Sequence, residues 1–178
     1  CVLWIDEIDK GFGGDARSDG GTSQRVLANV LTWMAEKTSP VFLVATANSV
    51  EKLPAELIRK GRFDEIFMLD LPTPEERFSI IELHVNQRRP NLNLPFKTVV
   101  DRTNGFSGAE LEQTVIEGMH LAFAEKRELQ ESDLILAASQ LVPLSRTAKE
   151  QINRLKEWAS SGRARPASLG LSNLMNRN

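Results

Sequence analysis

The sequence predicts a fold in two parts, an α/β layer followed by helices only. Residues 2–6 and 41–46 are apolar segments typical of buried strands, and the second resembles a strand of a parallel sheet covered on both faces. Between them, residues 22–37 carry apolar side chains at helical spacing, and this alternation of strand, helix and strand favours an α/β layer. After residue 72 the apolar spacing is helical throughout, which predicts an all-α second part.

The composition is that of an ordinary globular protein, and it excludes several classes of function. A net charge of −2 gives no electrostatic case for binding nucleic acid or a membrane surface. No apolar run approaches the roughly 18 residues needed to cross a bilayer, so we expect no membrane association. The single cysteine, Cys1, fits a reducing compartment, and the cytoplasm is the expected location. The chain does not begin with Met, which favours a processed, truncated or subcloned start.

Three shorter elements complete the α/β part. Residues 11–21 are rich in Gly, Ser and Asp, which predicts a mobile loop. A short helix is predicted over residues 55–59, and a third strand over residues 65–69. The change to helical spacing after Pro72 places the first domain at residues 1–72.

Helix starts in the second part are predicted by capping boxes, in which Ser or Thr is followed three residues later by Glu. Such boxes begin at Thr73, Ser107 and Thr147. Ser132 predicts one further helix start, and a short helix is expected near residues 97–103.

This helical part is itself divided by composition. Residues 73–140 are assigned to a helical domain, and residues 141–178 to a C-terminal helix with a flexible end. From Ser160 onward, small polar and basic residues predict a frayed tail.

Two adjacent carboxylates, Asp6 and Glu7, follow the first predicted strand directly. Acids at such a strand end can hold Mg²⁺ and prepare a water for attack on a γ-phosphate. In this interpretation Asp6 holds Mg²⁺ through its water shell, and Glu7 turns the water toward the phosphate. The alternative is a solvated strand end, because acidic residues are common at the rims of sheets.

A polar amide, Asn48, lies just past the end of the second predicted strand. Ligands of open α/β sheets bind at the carboxyl ends of the strands. Asn48 is therefore placed to donate a hydrogen bond to a γ-phosphate or to the attacking water. The alternative is a simple turn asparagine.

Two arginines, Arg59 and Arg62, flank a glycine just before the third predicted strand. Guanidinium groups suit the charge of phosphoryl transfer, because they are planar, permanently ionised and weakly hydrated. The alternative is a pair of solvated surface arginines.

In order and spacing, these residues resemble the AAA family of ring-forming ATPases. Asp6 and Glu7 match the end of the family's Walker B strand, and Asn48 matches its sensor-1 residue. Arg59 and Arg62 match the arginine fingers that this family presents to the nucleotide of the neighbouring subunit.

The helical part extends the resemblance. His84 falls where related members have a histidine beside the adenine and ribose; without that match it is an ordinary histidine of an amphipathic helix. Residues 105–111 are similar to the family's sensor-2 turn, which implies that Gly108 and Ala109 contact adenine through their backbone. The end of the chain, from Pro143 onward, resembles an AAA group encoded in cyanobacterial and plastid genomes, which adds the plastid stroma as a location.

The resemblance implies a partial P-loop NTPase (AAA+) parallel sheet that lacks its first two strands, followed by an all-α lid domain. The phosphate-binding pattern G-x-x-x-x-G-K-[ST] cannot occur, because the dipeptide Gly-Lys is absent from the sequence. The family's aromatic pore loop is also missing, and residues 11–21 correspond either to a second pore loop or to a plain flexible loop. We expect the third strand to lose its neighbour, and the chain to self-associate or rearrange locally.

The function implied is ATP hydrolysis with Mg²⁺ at subunit interfaces, in a hexameric ring of identical subunits that remodels a protein substrate. Because the phosphate loop is missing, we expect the chain alone to be inactive. The alternative is a shortened, catalytically dead relative that acts as a protein-binding or regulatory module. The neutral charge balance disfavours a nucleic-acid-binding adaptor.

Overall fold

The structure, a computed structural model, describes residues 1–12, 22–59 and 61–168. The chain divides into two compact units, Cys1–Ile66 and Phe67–Asn178. Each unit has a hydrophobic core of its own, with Leu57 in the core of the first and Leu111 in that of the second. The predicted limits of the three domains stay predictions.

The first unit contains the predicted α/β elements. They are β1 (Val2–Ile5), α1 (Ile8–Phe12), α2 (Thr22–Glu36) and β2 (Phe42–Ala45), followed by a 3-10 turn at Val50–Lys52. Strands β1 and β2 pair in parallel, with Val2 opposite Phe42 and Ile5 opposite Ala45. The two predicted strands are confirmed, and α2 ends one residue before its predicted end.

The two faces of the β1–β2 pair differ in burial. Side chains alternate between the faces of a strand, and those of Ile5 and Leu43 pack on the core that includes α2. On the opposite face, Val2, Trp4 and Phe42 are 69%, 68% and 70% exposed. The sequence predicted strands that are buried on both faces. This prediction is wrong for the face that carries Val2, Trp4 and Phe42, because the described residues cover only the face toward α2.

Two predictions for short segments of this unit are wrong. Residues 55–59 form turns instead of a helix, and the Leu57 amide donates to the Pro54 carbonyl at 2.9 Å. The loop predicted over residues 11–21 begins inside α1, and its residues 13–21 lie outside the described ranges. Helix α1 is not predicted by the sequence because five residues are too few to show a helical period.

The second unit is mainly helical. Its elements are β3 (Phe67–Met68), α3 (Pro74–Arg88), α4 (Lys97–Arg102), α5 (Gly108–Ala124), α6 (Glu131–Gln140), α7 (Leu144–Thr147), α8 (Lys149–Trp158), a π-helical turn at Ala159–Arg163 and β4 (Arg165–Pro166). Fully buried side chains on α3, α4, α5 and α6 form one core, among them Val85, Val99, Val115 and Leu134. The helices predicted between residues 73 and 140 are therefore confirmed.

Two of the predicted capping boxes are present in full. The Thr73 hydroxyl accepts the amide of Glu76 at 3.3 Å, and the Glu76 carboxylate accepts the amide of Thr73 at 2.8 Å. The Ser107 and Glu110 pair does the same at the start of α5, at 3.3 and 2.7 Å. These contacts satisfy amides that a helix N-terminus leaves without an internal partner.

Two other helix starts are mispredicted. Ser132 lies inside α6, which begins one residue earlier; there the Asp133 carboxylate accepts the amide of Gln130 at 2.9 Å. Thr147 does not cap α8, because it is the last residue of the short helix α7 and Ala148 stands at the cap position.

The third strand pairs with the end of the chain. Strand β3 is shorter than predicted, and it pairs in parallel with β4, so that Phe67 lies opposite Arg165. The pairing continues with the Ala167 amide, which donates to the Met68 carbonyl at 2.9 Å. The third strand is therefore not left unpaired, and its pairing within the chain agrees with the local rearrangement that was expected as one of two outcomes.

The frayed tail predicted from Ser160 is wrong for residues 160–168, and the remaining ten residues lie outside the described part. The Ser168 hydroxyl donates to the Glu76 carboxylate, and the Lys156 ammonium lies 2.9 Å from Asp70. Ser168 is thus held by a partner 92 residues away in the chain, which composition alone does not reveal.

Two carboxylates of this unit make its stability depend on pH. The Arg127 guanidinium donates to both oxygens of Asp133, at 2.6 and 2.7 Å, and lowers the pKa of that carboxyl. The Ser168 hydroxyl and the Thr73 amide lower the pKa of Glu76. Both carboxyl groups have a lower pKa in the folded state than in the unfolded chain, so their ionised forms stabilise the fold. This stabilisation is fully present above pH about 4, where the groups are ionised even in the unfolded chain, and it is lost as the pH falls through the lowered pKa values of the folded state.

We therefore expect the free energy of unfolding, measured by urea titration, to decrease between neutral pH and pH about 3. The Asp133→Asn variant should be less stable at neutral pH and should lose less stability on acidification. An equal loss in the variant and the wild type would contradict the role assigned to Asp133. Glu157→Gln, at an exposed glutamate of α8 in the same unit, is the control.

In the ranges that the structure describes, none of the helices combines the length and the apolar character of a membrane-spanning segment.

Candidate active site

The carboxyl ends of β1 and β2 meet at one rim of the first unit. Past the end of the strand ladder, the Thr46 amide donates to the Ile5 carbonyl at 3.0 Å, and the Ile8 amide donates to the Thr46 carbonyl at 2.8 Å. These bonds hold the segment after β1 beside the segment after β2. The structure therefore brings Asp6, Glu7 and Asn48 together at a single rim, as parallel pairing requires.

The Asp6 carboxylate is exposed and is joined to the rim by Thr46. The Thr46 hydroxyl donates to Asp6 and accepts the backbone amide of Glu7 at 2.9 Å. A hydroxyl that both donates and accepts fixes two neighbouring acids relative to the second strand. The sequence does not single out Thr46, because a threonine at the end of a β-strand is common.

Both carboxylate oxygens of Glu7 have partners. Asn48 Nδ2 donates to Glu7 Oε1 at 3.0 Å, and Lys10 Nζ lies 2.6 Å from Glu7 Oε2. The hydrogen bond that the Lys10 ammonium donates to Glu7 raises the pKa of Lys10. Glu7 has a positive φ of 49°, an uncommon conformation for a residue other than glycine, of a kind that clusters at functional sites. The predicted catalytic pair of Glu7 and Asn48 is thus in direct contact.

Asp9 is a further residue of this rim, and sequence reasoning missed it. Its side chain is buried, with the residue only 5% exposed, and it accepts the backbone amides of Asn48 and Ser49 at 3.2 and 3.1 Å. Its partners lie 39 and 40 residues away in the chain, beyond the reach of a local pattern. In the sequence Asp9 stands between an apolar residue and a lysine, and this local context gives no indication of a functional role.

Arg59 and Arg62 lie on one turn but have different surroundings. The Arg62 amide donates to the Arg59 carbonyl at 3.2 Å, and Gly61 between them has φ of 91°, which favours glycine. The Arg62 guanidinium donates to the Leu31 carbonyl of α2, whereas the Arg59 side chain is exposed and its guanidinium has no hydrogen-bond or ionic partner among the described residues. Arg59 is therefore the one of the two whose charge is available to another molecule.

His84 lies on α3 in the second unit and is half-buried. Its Nδ1 atom is 3.2 Å from Arg88 Nη1 and 3.5 Å from Glu112 Oε1. Arg88 Nη2 donates to the same Glu112 oxygen at 2.6 Å, and this bond lowers the pKa of Glu112. The imidazole is thus oriented by a fixed ion pair between α3 and α5.

Gly108 and Ala109 are the first two residues of α5, directly after the cap at Ser107. Apart from its chain neighbours and the backbone of its own helix, no heavy atom of the described residues lies within 4 Å of the position where a side chain on Gly108 would begin. The backbone at this helix start is therefore open to a flat ligand within the second unit.

The rim offers chemistry suited to Mg²⁺ held through water. No group of three or more His, Cys, Asp or Glu side chains able to hold a metal ion occurs in the described part of the chain. Mg²⁺ needs no such cage, since it keeps several waters and takes one or two carboxylates together with phosphate oxygens. The exposed Asp6 carboxylate beside the Thr46 hydroxyl fits that requirement.

Comparisons with known proteins identify relatives of this chain. Residues 1–71 match the family model described as "ATPase family associated with various cellular activities (AAA)". The chain is 52% identical over 171 residues to the AAA domain-containing protein ycf46 of Trieres chinensis, covering 94% of this chain and 34% of that protein. It is 35% identical over 132 residues to the ATP-dependent zinc metalloprotease FtsH of Mycoplasmopsis synoviae, covering 70% of this chain and 20% of that protein.

A solved structure shows the same fold. The AAA domain of FIGL-1 superposes with a TM-score of 0.74 at 19% identity, covering 90% of this chain and 56% of the other. The partial α/β fold with an all-α part after it is therefore that of an AAA domain. The chain spans about a third of the length of the ycf46 relatives it matches.

Proposed function

Because the chain belongs to the AAA family of ATPases, we propose that it supplies the catalytic rim of an ATP hydrolase. The contact between Asn48 and Glu7, at 3.0 Å on the shared rim of two parallel strands, is the observation that supports this proposal most strongly. In the proposed reaction Glu7 accepts a proton from the attacking water, and Asn48 holds the glutamate and the water in line.

Asp6 is proposed to hold Mg²⁺ through a water molecule. Bound Mg²⁺ supplies positive charge to the phosphate oxygens of ATP. Thr46 keeps the Asp6 carboxylate on the rim through its hydroxyl. Lys10 must release Glu7 for the glutamate to reach water, and their exposed ion pair is weak enough to open, since such pairs contribute little free energy in water.

Arg59 and Arg62 are proposed to act on the nucleotide of a neighbouring subunit, in a ring that we take to be hexameric. The exposed guanidinium of Arg59 would stabilise the charge of the transition state. Arg62 is proposed to act on that nucleotide indirectly, by shaping the turn that carries Arg59, because its own guanidinium already donates to the Leu31 carbonyl.

His84, Gly108 and Ala109 are proposed to contact the adenine and ribose of ATP. The support comes from the second unit alone: an imidazole oriented by Arg88 and Glu112, and an open backbone at the start of α5. These contacts would bind substrate and product alike, so they would affect KM more than kcat.

The work done with this ATP is proposed to be the remodelling of a protein substrate, in the cytoplasm or the plastid stroma. The chain alone is proposed to be inactive, because its sequence has no G-x-x-x-x-G-K-[ST] cradle for the phosphates. A catalytically dead, protein-binding relative is the second candidate. The Asn48–Glu7 contact favours the hydrolase, since a dead relative has no need to keep it.

Steady-state phosphate release by the full-length protein tests the proposal. We expect Mg²⁺-dependent ATP hydrolysis by the full-length protein, and none by residues 1–178 alone. A full-length protein that binds its protein partners but hydrolyses no ATP would favour the dead relative. Hydrolysis by residues 1–178 alone would contradict the proposed need for a phosphate cradle.

A further inference from the structure

Asp9 is a buried carboxylate that accepts hydrogen bonds from two backbone amides. Burying a carboxylate is costly unless hydrogen bonds replace its lost water. Asp9 meets this requirement with two amides in sequence, those of Asn48 and Ser49, which bind one oxygen each at 3.2 and 3.1 Å. Hydrogen bonds to a charged acceptor are stronger than those between neutral groups.

These bonds fix the position of Asn48 relative to Glu7. Asp9 follows Glu7 by two residues, at the start of α1, and it holds the backbone of the residue whose side chain reaches back to Glu7 at 3.0 Å. Glu7, Asp9 and Asn48 thus form a closed loop of contacts. A shift of the Asn48 backbone would move its amide away from the glutamate, and misplacement of a positioning group by about 1 Å is enough to slow a reaction greatly.

We propose that Asp9 is a positioning residue for ATP hydrolysis, which acts by holding the Asn48 backbone so that the Asn48 amide orients Glu7. This inference rests on the proposed function. Its structural part, that Asp9 holds the Asn48 backbone in place, does not depend on that function. Asp9 touches neither nucleotide nor water in this role. It clamps the segment after β2 to the segment after β1.

Amide hydrogen exchange tests the clamp without any catalytic readout. In residues 1–178 we expect slow exchange at the Asn48 and Ser49 amides, and exchange faster by about tenfold or more at both in Asp9→Asn. The strand amides of Leu43 and Val44 should stay protected, which reports that the unit is still folded. Asp64→Asn, at an exposed aspartate of the same unit, is the matched control. Unchanged exchange at Asn48 and Ser49 would overturn the clamp.

The Asp9→Glu variant provides a second test should Asp9→Asn unfold the unit. It keeps the charge but moves the carboxylate by one methylene, so protection of the two amides should fall while the rest of the unit remains folded. Full protection of both amides in Asp9→Glu would show that the position of this carboxylate is not what holds them.

Kinetics of the full-length protein test the catalytic half. Asp9→Asn should lower kcat by about tenfold and leave the KM for ATP within about twofold. In an Asn48→Ala background, Asp9→Asn should have no further effect, because the group through which it acts is gone. Independent, multiplying effects would overturn the positioning role. A wild-type protein without activity would instead overturn the proposed function, while amide exchange still decides the clamp.

Discussion

Glu7→Gln in the full-length protein is expected to lower kcat for ATP hydrolysis by about 10²–10⁴-fold, the usual contribution of a general base. Glutamine has nearly the shape of glutamate and can still accept the hydrogen bond from Asn48, but it cannot take a proton from water. The ion pair with Lys10 is lost as well, at little cost in stability. Nucleotide binding, measured by calorimetry with Mg-ATP, should remain close to that of the wild type.

Glu36→Gln is the matched control, since Glu36 is an exposed glutamate of the same unit at the end of α2, before β2 begins. It should hydrolyse ATP at the wild-type rate. Turnover of Glu7→Gln within about twofold of the wild type would remove Glu7 from the role of base.

Arg59→Ala is expected to lower kcat by about 10³-fold, as is typical for loss of an arginine finger. The fold should be unaffected, because the Arg59 side chain is exposed and its guanidinium has no partner among the described residues. The decisive measurement mixes Arg59→Ala subunits with Glu7→Gln subunits, each inactive alone. If Arg59 acts on its neighbour's nucleotide, some interfaces in mixed rings combine an intact Glu7 with an intact Arg59, and activity is partly restored.

Arg62→Ala separates the two arginines. It removes the hydrogen bond to the Leu31 carbonyl, so thermal unfolding of the first unit should shift downward along with turnover. Arg25→Ala, at an exposed arginine of α2, should change neither property.

For Arg59, the contradicting result comes from the mixing experiment. If mixtures of Arg59→Ala and Glu7→Gln subunits regain no activity, Arg59 does not act in trans.

The features that the sequence predicts well are those with a local cause. The capping boxes at Thr73 and Ser107 form because each box lies within one helical turn. The apolar segments before Asp6 and Thr46 form strands, and parallel pairing then brings their polar ends to one rim. The contact of Glu7 with Asn48 follows from that topology.

The features that the sequence misses depend on distant partners. Asp9 has no local signal because its ligands are backbone amides about 40 residues away. The pairing of β3 with Arg165–Pro166 joins segments nearly 100 residues apart, so composition predicted a frayed tail. At Thr147 the sequence fits the capping-box pattern, but no box forms, because Thr147 is itself the last residue of the short helix α7. A local pattern alone is therefore not sufficient to predict a helix start.

The exposed face of the β1–β2 pair could not be predicted from the alternation of residues. Every side chain of both strands is apolar, and such a segment is compatible with burial on one face or on two. Which faces are covered depends on what packs there, and in the described residues only the face toward α2 is covered.

A structure of the full-length protein with Mg²⁺ and a non-hydrolysable ATP analogue is the most direct test of the catalytic rim. We expect Mg²⁺ bound to water held by Asp6, the Glu7 carboxylate turned toward a water beside the γ-phosphate, and Asn48 in hydrogen-bond contact with one of them. A nucleotide bound elsewhere, with Asp6, Glu7 and Asn48 all facing solvent, would contradict the assignment.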